Sequence, residues 1–436
     1  MGQAVGIPNT TDYGNLQGLK PGNVYTISVQ RHKAERAGEH LDFRIGDPKV
    51  QLLSWALPKA KLPEPNERLL AVQQPLHEYE YATFEGTIDE GYGKGEVKLE
   101  KLGKALVTDI EPGKIHITII SDRYPTRYVL VQPQNYKQND WLILNTTPNK
   151  PIDYEKIHMR QLKPDELNDY LDKNKEQPLY ASPKIDGAHV IILIKDGKLE
   201  VFSYRISKVH GGNILHTERL FRIRPKVQIP ERLNGTILKG ELYAVDKDTG
   251  EAIPVNVLSG LLNSSIYRTY QDAANKGVQF RIGLFDIYKY GDQIIDPEAV
   301  DYPSRLNLIR EFLPQLDKKI FHVIEPARKP EEVLALWDII TQGRHPLTKE
   351  GIVLYPHKGN PVKVKAFQER DVYIREILPG EGKYKGKAAG GFTYSLEPNG
   401  PIVGHVGTGF SDELRREMWE DPDEFINRRA RVKYQE

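Results

Sequence analysis

The stretch LYASPKIDGAHVIILIKDGKLEVFSY, residues 179–204, decides how the middle of this chain is read. Its apolar runs HVIILI and KLEVFSY flank Asp196-Gly197, a pair that favours a two-residue hairpin turn because both positions tolerate positive φ. Just before the first run stand Lys184, Asp186 and Gly187. In extended backbone Lys184 and Asp186 share a face while Ile185 points away, and Gly187 lets another group approach the main chain. An amine beside a carboxylate suits a lysine nucleophile, which must shed its proton near neutral pH and be oriented by a neighbour. The same tetrapeptide also suits a salt bridge at a strand end, so its meaning depends on what surrounds it.

The chain has 436 residues, more than one usual core, which predicts two to three domains. Its 61 lysines and arginines meet 60 aspartates and glutamates, so the +1 balance announces no nucleic-acid or membrane partner and any such surface must be local. The absence of cysteine excludes disulfides, thiolate metal sites and cysteine nucleophiles. No apolar stretch approaches the ~20 residues of a membrane span, and the start lacks a basic patch followed by an apolar run. A soluble, cytoplasmic, monomeric protein is the expectation.

Residues 1–22, rich in Gly, Asn and Thr without periodicity, read as a loose tail. From residue 23 to 148, short alternating runs such as GEVKLEKLG, KIHITIISD, RYVLVQP and DWLILNTTP predict a small β barrel or sandwich. A polar stretch with two prolines, NTTPNKPIDYEKI, suits a domain boundary. Residues 149–370 then alternate strand and helix patterns, with KPDELNDYLDKNK, PSRLNLIREFLPQL and PEEVLALWDIITQG as helices. Residues 371–436 hold four strand-like runs and SDELRREMWE, a helix capped by Ser411 with Asp412 and Glu413 in its first turn. About five strands with one inserted helix would fit an OB-fold.

An ordered series follows the hairpin: Arg205 in FSYRIS, Glu241 in LKGELYAVD, Phe285 and Asp286 in FRIGLFDIYKYGD, Glu350 in KEGIVLYP, and Lys363 and Lys365 in PVKVKAF. Taken singly, Glu241 could face solvent, Phe285 could be core, and the two lysines could protect a strand edge from aggregation. As a series with Lys184 they resemble the ATP-dependent DNA ligases of the covalent nucleotidyltransferase superfamily, from about residue 152 onward. The resemblance implies an α+β, multidomain chain whose nucleotidyltransferase core, ATP-grasp-like, is built of antiparallel sheets with helices and is followed by a C-terminal OB-fold. It implies that Lys184 attacks the α-phosphate of ATP and holds AMP, and that Asp186 positions it. Glu241 would contact ribose or metal, Phe285 would stack on adenine, and Glu350 would bind the catalytic Mg2+. Lys363 and Lys365 would neutralise the α-phosphate, and Arg205 would contact ribose or the 5′-phosphate of nicked duplex DNA. Transfer of a nucleotidyl group needs positioned cations about a charged transition state, which agrees with these residue types.

Upstream, QRHKAERAGEHLDFRIG sets His40 and Asp42 on one strand face, continued by Arg44, with His32 nearby. Imidazoles with a carboxylate suit Mn2+ or Zn2+, and an adjacent arginine suits a phosphate. Together with LLSWALPKA, ERLLAV and HEYEYATFEG, this resembles the β-barrel phosphoesterase-like domain fused to bacterial end-joining ligase D, over about residues 24–148. That family heals 3′ ends by removing a ribonucleoside or a phosphate. The resemblance assigns His32, His40 and Asp42 to metal, Arg44 and His77 to phosphate, and Lys59, Arg68 and Tyr81 to the site lining. The insert KAERAGE between the histidines is longer than the family usually has, and its charged N-terminal arm is not recognisable in IPNTTDYGNLQG. A folded, silent domain that binds DNA is the alternative.

At the C-terminal end, Lys383, Lys385 and Lys387, with Arg428, Arg429, Arg431 and Lys433, offer cations for duplex phosphates, although solvated loops account for such runs equally well. The family's terminal Arg-x-Asp-Lys motif is not found, from which slow self-adenylation with retained sealing of a pre-adenylated nick is expected. His189 stands where many ligases have arginine. The rival readings are an RNA ligase or capping-type nucleotidyltransferase, and a catalytically degenerate DNA-end-binding protein.

Overall fold

The computed structural model describes residues 12–157 and 159–434. They fall into two compact units, one of Met1–His158, Ile185–Glu325 and Tyr355–Asn360, the other of Met159–Lys184, Pro326–Leu354 and Pro361–Glu436. The borders expected at 149 and 371 lie inside these units, so the stretch read as one nucleotidyltransferase segment is divided between them. Among the described residues no helix is long and apolar enough to cross a membrane.

The first unit begins with nine strands, β1 (Val24–Ala34), β2 (Gly38–Asp47), β3 (Gln51–Leu57), β4 (Arg68–His77), β5 (Gly86–Ile88), β6 (Gly95–Glu111), β7 (Lys114–Ile119), β8 (Thr126–Val131) and β9 (Asp140–Asn145). Their order is β1-β2-β3-β4-β9-β8-β7-β6-β5, and β1 also pairs with β6, which closes eight antiparallel strands into a barrel. One face of each strand fills the interior, with Ile27, Val29, Phe43, Ile45, Trp55 and Ile117 buried. Trp55 and Trp141 meet edge to face at 5.8 Å. The opposite face of β1 and β2 is polar yet also buried, because the 3₁₀ helix Tyr79–Thr83 lies near it. Ser28 donates to the Ala82 carbonyl and the Gln30 amide nitrogen to those of Tyr81 and Phe84, so these buried donors are satisfied.

Part of the segment expected as a loose tail is packed. Leu19 is buried, Asn15 caps the turn Leu16–Gly18, and the Asp12 carbonyl accepts from the Leu76 N–H at 2.7 Å. The apolar side chains of Leu16 and Leu19 close one end of the barrel core, a use that composition alone does not reveal. The first eleven residues of that expected tail lie outside the described residues.

The same unit continues into an antiparallel sheet ordered Asn213–Leu215, Lys198–Ile206, Ala188–Lys195, Thr236–Asp246, Val278–Tyr290, Gln293–Ile294. The hairpin expected at Asp196-Gly197 is present, with φ of 52° and 68° at the two turn residues. Helices Val255–Asn263 and Ile266–Asn275 follow the central strand, the second capped by Ser265. Barrel and sheet share a buried seam: Leu106, Ile120 and Ile266 pack together, and the Tyr267 N–H donates to the Ile120 carbonyl at 2.9 Å.

In the second unit, strands Arg160–Leu162, Val362–Lys365, Gly351–Pro356 and Leu179–Pro183 lie side by side in that order. Helices Leu167–Lys173 and Pro330–Thr341 cover them through Leu171, Val333 and Ile340, packed on Ile352, Leu354 and Val364. The C-terminal part forms a four-stranded sheet ordered Gly404–Val406, Ala389–Ser395, Gln368–Pro379, Arg429–Tyr434. Helix Asp412–Glu420 packs on it with Ser411 accepting from the Leu414 N–H, the cap read from the sequence. Of the about five strands expected there, the sheet among the described residues has four, with the expected helix packed on it, and no ladder joins its first strand to its last.

Candidate active site and phosphate-ester cavity

Lys184 lies in the connection after strand Leu179–Pro183, outside any strand. Its backbone is nevertheless fixed on both sides, the N–H donating to the Gly351 carbonyl at 2.8 Å and the carbonyl accepting from the Thr348 hydroxyl at 2.5 Å. Its ammonium meets Glu350 at 2.7 Å, and Lys365 meets the other oxygen of the same carboxylate at 2.8 Å. The Glu350 side chain is 8% exposed, so this pairing takes place largely away from water, where charges interact more strongly. Gly351 makes the geometry achievable. Its φ is 149°, and a Cβ there would stand 2.0 Å from the Val364 carbonyl oxygen, so only glycine lets the two strands register Gly351 against Lys365. Lys363 shares a face with Lys365 on the same strand, as alternation required.

Asp186, Arg205, Glu241 and Phe285 belong to the other unit. Glu241 stands opposite His189 in the paired strands, and a Cβ on Gly187 would meet the Leu242 carbonyl at 2.5 Å, which accounts for the glycine of the opening motif. His189, where an arginine was the family expectation, lies flat on Tyr204 at 3.8 Å and 7°, with Phe285 at 5.3 Å. Phe285 is aimed by the backbone. Lys239 pairs with Asp286 while Gly240 pairs with Leu284, so Phe285 is an extra residue in its strand, a β-bulge that re-aims its side chain. A second bulge places Tyr288, since Leu238 pairs with Ile287 and Ile237 with Lys289. Tyr302 donates to the Phe285 carbonyl at 3.0 Å, and the fully buried Arg305 holds Asp286 at 2.9 Å. Burial lowers the pKa of the Lys239 ammonium beside that pair, against the pull of Asp286. Arg205 is exposed at the end of its strand. The bulges and the His189–Tyr204 stack carry no signal in a single sequence.

The barrel holds a separate cavity of about 520 Å³ lined by His32, His40, Asp42, Arg44, His77 and Tyr81 among others. His32 and His40 face each other across β1 and β2, and their ring centroids are 4.8 Å apart. A carbonyl can only accept, so the 2.8 Å contact of His32 Nε2 to Gly93 and the 3.0 Å contact of His40 Nδ1 to Gly38 place the protons on those nitrogens. The remaining lone pairs, on His32 Nδ1 and His40 Nε2, then face Asp42 at 3.5 and 3.6 Å. Two imidazole lone pairs and a carboxylate converging from buried residues are the donor set a divalent transition metal takes, with the backbone carbonyls orienting the rings. Burial drives the Asp42 carboxyl up, but its charged surroundings, the Arg44 guanidinium foremost, outweigh it and hold the group well below the usual carboxylate range. Burial pushes His77 down to about 4, with Arg44 adding to the effect, so its ring is neutral at pH 7.

Arg44 is 3% exposed and gives one nitrogen to Asp42 at 3.1 Å, while its Nε and Nη1 are buried without a hydrogen-bond partner among the described residues. Its guanidinium stands 4.9 Å from the centre of the Tyr81 ring. Orphaned donors on a buried cation fit an absent anion. Lys59 and Arg68, assigned to this lining by resemblance, are exposed and do not line the cavity; Gln74 and Tyr92 do. Lys383, Lys385 and Lys387 are exposed around the turn Gly382–Tyr384, Lys383 lying 3.6 Å from Asp412.

A lysine held by a buried carboxylate beside a second lysine, and a barrel bearing a His-His-Asp donor set, are the two arrangements on which a nucleotidyltransferase and a phosphoesterase-type domain were expected from the sequence. Residues 30–132 match the family model described as the DNA Ligase D 3'-phosphoesterase domain, and residues 161–360 match that of the ATP dependent DNA ligase domain. The chain thus carries a segment similar to the ATP dependent DNA ligase domain and, before it, one similar to the ligase D 3'-phosphoesterase domain. It is 29% identical to the multifunctional non-homologous end joining protein LigD of Mycolicibacterium smegmatis over 425 residues, 90% of this chain and 49% of that protein. Against the protein of the same name from Pseudomonas aeruginosa it is 30% identical over 146 residues, 32% of this chain and 17% of that one. The chain therefore spans at most about half the length of these curated relatives. The solved structure titled "mycobacterial DNA ligase D complexed with ATP and MES" aligns at a TM-score of 0.31 and 15% identity, covering 59% of this chain and 84% of that one.

Proposed function

We propose that this chain seals nicks bearing a 5′-phosphate and a 3′-hydroxyl in duplex DNA, using ATP and Mg2+, through AMP bound covalently to Lys184. The observation that carries the reading is the Lys184–Glu350–Lys365 arrangement. Glu350 fixes the lysine amine and is the nearest acceptor for the proton it must lose, while Lys365, with Lys363 on the same face, brings positive charge to where phosphate charge grows.

The uncharged Lys184 amine displaces pyrophosphate from the α-phosphorus of ATP, forming a nitrogen–phosphorus bond. The AMP then passes to the 5′-phosphate of the nick, freeing the lysine. The 3′-hydroxyl displaces AMP and closes the strand. Phe285 offers a ring face to the adenine, Glu241 a carboxylate to the ribose or a metal ion, Asp186 orients the lysine, and Arg205 meets the ribose or the 5′-phosphate. Both oxygens of Glu350 are held by lysines, and with Lys184 uncharged this carboxylate would be able to hold Mg2+. When bound, the ion offsets phosphate charge. The exposed lysines 383, 385 and 387 grip the duplex backbone. In the barrel, His32, His40 and Asp42 hold Mn2+ or Zn2+, and Arg44 with His77 holds a phosphate at a 3′ end.

Incubation with [α-32P]ATP followed by denaturing gels tests the ligase reading. Label should remain on the wild-type chain and be absent from Lys184→Ala, and a nick with deoxyribose on both sides should be sealed. An all-ribose preference would favour an RNA ligase, and nick binding without label would favour an inactive end-binding protein.

A further inference from the structure

The stretch that leaves the barrel is clasped to the hairpin built around Asp196-Gly197. Residues 150–157 form neither helix nor strand, and Asp153, Glu155 and Lys156 are exposed. The Ile152 N–H nevertheless donates to Asn213 Oδ1 at 2.9 Å, and the Asn213 amide nitrogen donates in turn to the Ser203 carbonyl at 2.7 Å. Five residues on, the Ile157 N–H donates to the Tyr204 hydroxyl at 3.2 Å. Between these two clasps stands Tyr154, half-buried among charged neighbours that are not.

The Tyr154 ring meets Tyr204 at 5.1 Å and 42°, and Tyr288 at 6.3 Å and 78°. Tyr204 is the ring on which His189 lies flat, and His189 is the ring that Phe285 meets. Five rings thus follow one another from Phe285 through His189, Tyr204 and Tyr154 to Tyr288, and both ends of the series belong to the bulged strand. His189 and Tyr204 already cover each other. Tyr154 has one tilted and one edge-on neighbour and lies flat against neither, so part of its π face stays uncovered. A ring placed by backbone clasps with a face to spare is preorganised for a flat ligand.

Resting on the reading of Phe285 as the ring that stacks on adenine, we propose that Tyr154 is a second aromatic wall of that nucleotide site, so that the connection from the barrel takes part in binding the base of ATP. A purine has two faces, and Phe285 covers one. Tyr154 settles on the base without separating the His189–Tyr204 pair, and it is the ring of the series carried by the connection rather than by the sheet. Bound nucleotide therefore holds the connection by a side chain as well as by its two clasps. With the site empty the clasps act alone.

The experiment uses the full chain. Self-adenylation is measured against ATP concentration in wild type, Tyr154→Ala and Tyr154→Phe. Tryptic cleavage after the exposed Lys156 is followed with and without α,β-methylene-ATP, whose carbon bridge blocks transfer of AMP. Tyr154→Ala should raise the ATP concentration for half-maximal rate by about fivefold or more, a larger change than in the rate at saturation, and Tyr154→Phe should stay within about twofold of wild type because the ring is what stacks. The analogue should slow cleavage after Lys156 in wild type and leave it unchanged in Tyr154→Ala, even at concentrations that saturate the variant. An unchanged ATP requirement in Tyr154→Ala, a lowered one such as removal of a plug would give, or equal protection of both proteins overturns this proposal, while label on Lys184 leaves the ligase reading standing. No label on the wild-type chain together with no effect of the analogue overturns both.

Discussion

Arg127 on the barrel and Glu200 on the ligase-domain hairpin form a two-pronged ion pair, Nη1 to Oε1 at 2.8 Å and Nη2 to Oε2 at 2.7 Å. The third nitrogen, Nε, reaches Glu218 at 2.6 Å, and Thr217 and Thr118 donate to the two carboxylates. Such a pair is costly to break from one side because a buried charge is left without its counterpart. Arg127→Ala should lower the stability of the full chain by about 3–5 kcal/mol in urea unfolding. Removing the charge from all three, as Arg127→Met with Glu200→Gln and Glu218→Gln, should restore much of that loss. Equal stability of the single and triple variants would refute the coupling.

Phe285 is presented by a bulge whose carbonyl is held by Tyr302. If its ring stacks on adenine, Phe285→Ala should raise the ATP concentration needed for half-maximal self-adenylation by about 5- to 100-fold, the usual range for base–aromatic stacking. Tyr302→Phe removes one hydrogen bond to the bulge, and a smaller rise of about fivefold is expected. Steady-state adenylation against ATP concentration measures both, and an unchanged requirement in Phe285→Ala would remove Phe285 from the nucleotide site.

Gly351 pins the strand that brings Glu350 to Lys184. Gly351→Ala introduces both a disfavoured φ and a backbone collision, so at least about 2 kcal/mol of stability should be lost, with self-adenylation falling more than nick sealing from pre-adenylated DNA. Comparing the two half-reactions on one preparation checks this, since simple unfolding lowers them together.

Burial pushes His216 down to about 3 and His116 down to about 4, with Arg219 and Arg224 adding to the effect. Unfolded histidine titrates near ~6.5, so between that pH and 4 the unfolded chain binds protons that the folded one refuses. Their contribution is intact above ~6.5 and stability falls as pH drops below it, by roughly 1 kcal/mol per pH unit for each histidine. His216→Gln should flatten the fall in Tm between pH 6.5 and 4; an unchanged slope would show that His216 is not the proton acceptor.

The grouping of the candidate ligase residues was legible because chemistry constrains their types and order: Lys184, Glu350 and Lys365 come within ion-pair distance, and Lys363 shares a strand face with Lys365. The hairpin and the helix caps followed from local rules, as Asp196-Gly197 and Ser411 show. Long-range effects were not legible. The polar face of β1 and β2 is buried by a helix about fifty residues away, and the open C-terminal sheet depends on partners that strand counting does not supply. Arg68 shares its strand face with Val72 and Gln74, which line the cavity, but it stands at the exposed start of β4, so its side of the strand suited the cavity while its place along the strand did not.

The two bulges in the Val278–Tyr290 strand have a consequence for how this segment tolerates change in length. Each inserts one residue against its neighbour, so the first reverses which side of the ladder later side chains occupy and the second restores it. Losing a single codon between Phe285 and Tyr288 would swap inside for outside along the rest of the strand, whereas losing two would return the frame and erase both aromatic placements. Insertions and deletions here should be tolerated in pairs, if at all.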